Sequence, residues 1–264
     1  MEKVIVVIPA YKSELNKYEE ISLRAAAKHL GKYTTTFIVP SRLDTSRLTE
    51  IMPYAGVEEF APEYFQGIAG YNRLMMSEEF YSRFTGYQYM LIYQLDAYVF
   101  SDQLEEWCDK GYDYVGAPWL LRPIYKLMPL RIGSKIKHGF RNMLKLPDER
   151  TTWWRVGNGG LSLRRIESHL SATRKLRPTI DLFLEHRNHM YNEDVFFAVE
   201  VNRHGLGFTY PDWKEALCFA FDKYPKLCFK LNNRKLPFGC HAWQKRRMRK
   251  FWFPIILDYQ SPII

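Results

Sequence analysis

VIVVIPAYKSELNKYEEISLRAAAKHLGKYTTTFIVP, residues 4–40, is the stretch that decides the fold. Its opening, Val4-Ile5-Val6-Val7-Ile8, is an unbroken apolar run, the pattern of a strand buried on both faces, and Pro9 ends it. Leu15, Tyr18, Ile21 and Ala25 then recur at helical spacing, with Gly31 as a C-terminal stop. Residues 34–39 are rich in β-branched side chains and end at Pro40. Strand, helix, strand is one βαβ unit, which predicts an α/β chain with a mainly parallel sheet and helices on its faces. Ligands of such sheets sit beyond the carboxyl ends of the strands. Residues 9–12 and 40–42 then line a crevice.

Outward from this unit, residues 71–84 read as a helix and residues 87–95 (YQYMLIYQL) as the next strong strand, followed at once by Asp96. Gln94-Leu95-Asp96 therefore joins the same crevice. Residues 104–109 suggest a short helix, and residues 112–115 a strand before Gly116-Ala117-Pro118-Trp119. A strand–turn–strand is expected over 156–164, a helix over 193–204, and an irregular, aromatic-rich last third. With no repeat and no low-complexity linker, one domain over 1–264 is the economical reading.

The composition fits a globular protein: of 264 residues, 47% are hydrophobic, 25% charged and 16% aromatic. No apolar run approaches the roughly 18–20 residues of a membrane span, and the start lacks the basic region of an export leader. Cysteines 108, 218, 228 and 240 show no C-x-x-C, which predicts free thiols in a reducing cytoplasm. The net charge of +9 is concentrated in two places: residues 122–150 carry a balance of +6, and residues 245–250 add five basic side chains without an acid. Such patches attract phosphate in nucleotides, nucleic acids or anionic lipids. Within the first patch, Leu127, Leu130, Ile132, Ile136, Phe140, Met143 and Leu144 suggest an amphipathic helix, which Pro123 and Pro129 break at its start.

Four short elements carry candidate chemistry. Asp96 at a strand end suits a divalent cation held against a diphosphate, and equally a turn or cap. Gly157-Asn158-Gly159-Gly160 allows close backbone approach to a ligand, or a plain hairpin turn. Asn192-Glu193-Asp194 reads as a capped helix start with two acids in its first turn, either of which is also a candidate general base. Phe238-Gly239-Cys240-His241-Ala242-Trp243 offers a histidine between aromatics. Cys228, Cys240 and His241 lack zinc-site spacing.

Taken in order, the strand-end crevice, Q-x-D, G-N-G-G, N-E-D-V-F-F and G-C-H-A-W resemble the GT-A class of nucleotide-sugar glycosyltransferases, in particular a bacterial family of little-characterised members. The resemblance implies a Rossmann-type sheet with a nucleotide-binding half over 1–100 and an acceptor-side half over 101–264, the basic segment 122–150 being an insertion. It implies that Asp96 and His241 hold Mn²⁺ or Mg²⁺. Gln94 stands where the class has an acid, so it only hydrogen-bonds ribose or sugar. Pro9, Ala10, Tyr11, Asn72 and Arg73, with Gln94, Leu95 and Asp96, would contact the nucleotide sugar. Asp194 would be the base on the acceptor hydroxyl. Trp119, Asn158, Gly159, Gly160 and Glu193 would shape the sugar and acceptor pocket, and Trp153 and Trp154 offer rings for stacking.

The expected activity is thus metal-assisted transfer of a sugar from a nucleoside diphosphate to a saccharide or glycolipid acceptor, in surface-polysaccharide or glycolipid synthesis. A nucleotidyltransferase is the alternative within enzymes, although no Gly-rich loop follows the first strand. A basic RNA- or membrane-binding module without catalysis is the other, but the aromatics do not interleave with the basic run as RNA-binding motifs require. Nucleic acid is therefore not the expected partner. Residues 245–250 run into Phe251-Trp252-Phe253-Pro254-Ile255-Ile256-Leu257, so a basic cluster abuts an apolar one. That pairing predicts peripheral contact with an anionic membrane at its inner face, unless 251–257 packs on the core.

Overall fold

In the computed structural model, residues 1–121, 128–143 and 147–258 are described. The apolar run becomes β1 (Glu2–Pro9), and the helix Lys17–Leu30 crosses over to β2 (Thr34–Pro40), parallel to it with Ile5 opposite Thr34. Asn16 starts that helix. Its Oδ1 accepts from the Tyr18 and Glu19 amides at 2.9 and 3.2 Å, and Glu19 reaches back to the Asn16 amide at 2.8 Å. A box of this kind satisfies amides that have no partner within the first turn, and its cap contributes about 1 kcal/mol.

β3 (Gly56–Phe60) has no apolar run to announce it; mostly exposed and acidic, it is an edge strand. After β4 (Tyr87–Tyr93) come seven short strands: β5 (Ala97–Val99), β6 (Tyr114–Val115), β7 (Ala117–Pro118), β8 (Val156–Gly157), β9 (Leu161–Arg165), β10 (Ala220–Phe221) and β11 (Gly239–His241). The main sheet has the order β3-β2-β1-β4-β9-β6, with β1 to β4 parallel and β9 antiparallel to β4 and β6. This is the expected mainly parallel α/β sheet flanked by helices. Both faces of β1 are covered, as its unbroken apolar run requires: Val4, Val6 and Ile8 pack with Leu23, Ala26 and Leu30, while Ile5 and Val7 pack with Met75, Phe80 and Ile166.

Several expectations need correcting. Residues 71–84 are two helices, Gly67–Met75 and Glu78–Ser82, because the Ser77 hydroxyl accepts from the Phe80 amide at 3.1 Å and starts a new turn. The G-N-G-G turn does not close a hairpin: β8 pairs with β7 and β9 with β4, so the turn carries the chain from one sheet to another. The last third is more regular than its composition suggests, holding β10, β11 and the helices Trp213–Phe219, Pro225–Leu231 and Arg249–Asp258. In the last of these, Trp252 and Ile256 are fully buried against Tyr98, Phe221 and Trp243, and Phe251, Phe253, Ile255 and Leu257 pack partly buried beside them, so the aromatic face of 251–257 is turned to the core. Of the basic segment, Met128–Met143 is helical, whereas Arg122, Pro123, Leu127 and Leu144 lie outside the described residues. No helix among the described residues is long and apolar enough to cross a membrane.

Candidate active site

β4 ends at Tyr93, and Gln94-Leu95-Asp96 turns into β5, with the Ala97 amide donating to the Gln94 carbonyl at 2.8 Å. β11 runs antiparallel to β5 with His241 opposite Ala97, which brings two residues far apart in sequence together. His241 Nε2 lies 3.0 Å from Asp96 Oδ1, and His241 Nδ1 lies 3.1 Å from Asp222 Oδ1, just after β10. Lys245 Nζ is 3.9 Å from Asp96 Oδ2.

Burial alone would lower the pKa of His241, but the two carboxylates overcome it and hold the ring at about 9. Burial would raise both acids, yet the imidazolium keeps Asp96 and Asp222 below the usual carboxylate range. Gly160 makes this approach possible, because a Cβ there would fall inside His241 Nε2 and against Gln94 Oε1. The Gly160 carbonyl also accepts from the Gln94 amide at 2.9 Å. Two backbone departures flank the group: Asn158 at φ 92° and Ala242 at φ 55°. Left-handed conformations in non-glycine residues cost energy and gather at functional sites.

Two cavities open around this chain of side chains. One, of about 460 Å³, is lined by Pro9, Tyr11, Tyr64, Phe65, Tyr71 and Asp96, together with Gln94, Leu95 and Gln244. The other, of about 150 Å³, is lined by Trp119, Trp153, Asn192, Asp194, Asp222 and Tyr224, among others. Asp96 thus faces the larger cavity and Asp222 the smaller, with His241 between them. Asp194 is raised to about 7, first by burial and then by its neighbour Glu193.

The remaining predicted residues occupy varied places. Ala10 is buried behind Pro9, and Arg73 is exposed on the outer side of its helix. Asn72 is not turned to the nucleotide crevice: its Nδ2 donates to Asn192 Oδ1 at 3.0 Å and its Oδ1 accepts from the Glu193 amide at 3.2 Å. Asn192 consequently makes no side-chain cap. Glu193 lines neither cavity. It is buried in an ion pair with Arg164, whose Nη2 lies 3.0 Å from Glu193 Oε2 and whose Nη1 donates to the Tyr81 hydroxyl at 2.9 Å. Gly159 makes room for that carboxylate, and Gly157 for the Trp119 ring. Asn158 Oδ1 accepts from the Gly160 amide at 2.7 Å, and its Nδ2 is buried without a partner. Trp154 is exposed and packs on Trp213, with ring centroids 4.9 Å apart. Asp222, and Arg164 as the partner that takes Glu193 out of the expected sugar pocket, are the residues sequence reasoning misses. Neither lies in a recognisable motif, since both arise from pairing between distant elements.

Among the described residues no three metal-binding side chains converge on one point. The Asp96–His241 pair nevertheless suits a cation supported by a ligand's own oxygens. Bonds of about 2.1 Å at right angles put adjacent donors about 3.0 Å apart, the separation observed here. Nε2 is buried, and its approach to Asp96 lacks hydrogen-bond alignment. Asp222 can accept a hydrogen bond from Nδ1–H, which leaves the Nε2 lone pair of the neutral ring turned towards Asp96.

A family model described as "Protein of unknown function (DUF5672)" matches residues 55–241. No curated protein matches the chain. Among solved structures, a galactosyltransferase, LgtC, in complex with donor and acceptor sugar analogs is 11% identical with a TM-score of 0.57, covering 96% of this chain and 94% of that one. Mouse xyloside xylosyltransferase 1 is 12% identical at TM-score 0.53, covering 90% and 97%. The glycosyltransferase GlyE of Streptococcus pneumoniae TIGR4 is 12% identical at TM-score 0.55, and its match spans 97% of this chain but 60% of that one. The shared feature is the GT-A fold.

Proposed function

We propose, from the premise that the chain belongs to the DUF5672 family and has a GT-A fold, that it transfers a sugar from a nucleoside diphosphate to an acceptor hydroxyl. The observation that carries this reading is the chain Asp96–His241–Asp222, which joins the cavity at the strand ends to the cavity that holds Asp194. The whole of 1–264 then acts as one GT-A-like domain, since Gln244 joins residues 9–96 in the larger cavity and His241 links Asp96 there to Asp222 in the smaller one.

In this reading the larger cavity takes the donor. Tyr11, Tyr64 and Phe65 offer rings to the base, while Gln94 offers an amide to the ribose or sugar. Asp96 and His241 would hold Mn²⁺ or Mg²⁺, which when bound offsets the charge that grows on the departing diphosphate. Lys245 adds a cation beside Asp96. Asp222 orients His241 and holds its Nδ1 proton. Asp194, with a pKa of about 7, can take the acceptor proton near neutral pH, where a general base is most effective. Trp119 and Trp153 wall the smaller cavity and suit the face of a sugar ring. The acceptor is a saccharide or glycolipid.

Thermal unfolding with uridine and guanosine diphosphates, with and without Mn²⁺, tests the reading. One nucleotide should raise the melting temperature in a Mn²⁺-dependent way, and Asp96→Asn should abolish the dependence while the free protein still unfolds cooperatively. A panel of nucleotide sugars screened for donor hydrolysis then names the donor. No shift with any nucleotide, and no hydrolysis of any sugar, would overturn the proposal.

A further inference from the structure

The helix Met128–Met143 is amphipathic in the wrong sense for a helix that simply packs on its own protein. Met128, Ile132, Ile136, Phe140 and Met143 form one stripe at helical spacing, and each is between 53 and 72% exposed. They are five of the fifteen exposed large apolar side chains among the described residues, gathered on sixteen positions of a 264-residue chain. The opposite face is polar and turned inward. Ser134 accepts from Arg150 Nη1 at 2.9 Å, His138 Nδ1 lies 3.3 Å from Asp148 Oδ2, and Arg141 Nε donates to the Pro147 carbonyl at 2.9 Å. The helix is thus fastened by its polar side and presents its apolar side to solvent. A helix stabilised by core burial does the reverse.

The charges bordering the stripe say what covers it. Lys135 and Lys137 are exposed, Lys137 also lining the cleft on the polar side, and the helix contains no Asp or Glu. The nearby acids, Asp148 and Glu149, belong to the segment on its polar side, where Asp148 meets His138. A second copy seated on this face would bring lysines against lysines, which is unfavourable. An anionic surface with an apolar interior matches both features at once.

We propose that Met128–Met143 is an interfacial helix that lies in the headgroup layer of an anionic phospholipid membrane. Its stripe enters the acyl boundary, and Lys135 and Lys137 meet lipid phosphates. The site moves the membrane-binding face away from 251–257, where Trp252 and Ile256 are spent on the core. It is independent of sugar transfer, but it has a spatial corollary. Glu149, next to the polar side of the helix, also lines the cavity that holds Asp194, so that cavity stands beside the bilayer.

Co-sedimentation of the full chain with vesicles tests the proposal. Vesicles containing phosphatidylglycerol should retain the protein, pure phosphatidylcholine vesicles should not, and raised salt should release it. Lys135→Gln and Lys137→Gln should each weaken binding about fivefold. Ile132→Asp/Ile136→Asp/Phe140→Asp should abolish it with unchanged far-ultraviolet circular dichroism, and Ile136→Ser alone should weaken it if the triple variant does not fold. Equal indifference to both lipids, or full retention of the triple variant, would overturn the proposal. So would a wild-type dimer in sedimentation velocity that the apolar-to-acidic variants convert to monomer, since the face would then belong to a second copy.

Discussion

Asp194 illustrates how burial sets the chemistry of a single side chain. Its carboxylate accepts from the Val195 amide at 2.9 Å, a bond that favours the charged form, yet burial and Glu193 prevail and its pKa rises to about 7. An acid raised on folding penalises the native state once it ionises. Stability is therefore greatest below the unfolded value near 4 and declines as pH climbs from there through about 7. Asp194→Asn should remove that decline, which denaturant titrations at pH 4, 6 and 8 will read directly. The same substitution should lower kcat by at least a hundredfold with little change in nucleotide affinity, because a base acts in the transition state. In the wild type, kcat should rise with pH up to about 7. A variant with normal turnover would confine Asp194 to the helix start.

At the scale of elements, the stretch Glu193–Arg203 is one helix interrupted by a wider π turn over Phe196–Glu200, and its first residue is anchored by Arg164 on β9. Neither partner of this pair reaches solvent. Removing one partner of a buried pair strands the other, so Arg164→Met should cost about 3–5 kcal/mol in urea unfolding, whereas Arg164→Met/Glu193→Leu should recover most of the loss. A double variant as unstable as the single would mean that the hydrogen bonds Arg164 donates to the Tyr81 hydroxyl and, from Nε at 3.1 Å, to the Ser162 hydroxyl dominate the site rather than charge. β1, β2 and β4 are legible in the sequence because burial on both faces writes a continuous apolar run. The Gln94–Asp96 turn is legible as their continuation. β5 and β11 are three residues each, too short for any period, and they alone bring His241 to Asp96. The Ser77 cap overrides an apolar pattern that runs on regardless, and Asn192, an apt cap by type, gives its oxygen to Asn72 instead. Asp222 follows no motif; only the parallel pairing of β10 with β11 brings it beside His241.

At the scale of the molecule, the +9 charge divides between a helix that faces outward and a run, Lys245 to Lys250, that starts beside Asp96. Between the two, the crevice depends on a ladder of three rungs: Ala97 with His241, Tyr98 with Cys240, Val99 with Gly239. A slip of one residue would exchange the faces of every side chain on β11 and carry the imidazole away from both acids. The chain therefore tolerates changes of length very unevenly. A codon inserted between Asn233 and Arg234, in an exposed turn just upstream, only lengthens a loop, which costs little. The same codon inserted within 239–241 shifts the reading of the ladder itself. In a library of single-codon insertions screened by donor hydrolysis, survivors should crowd at 232–236 and vanish at 97–99 and 239–241, so that the spacing of this segment, more than its composition, is what descent with insertion and deletion must hold still.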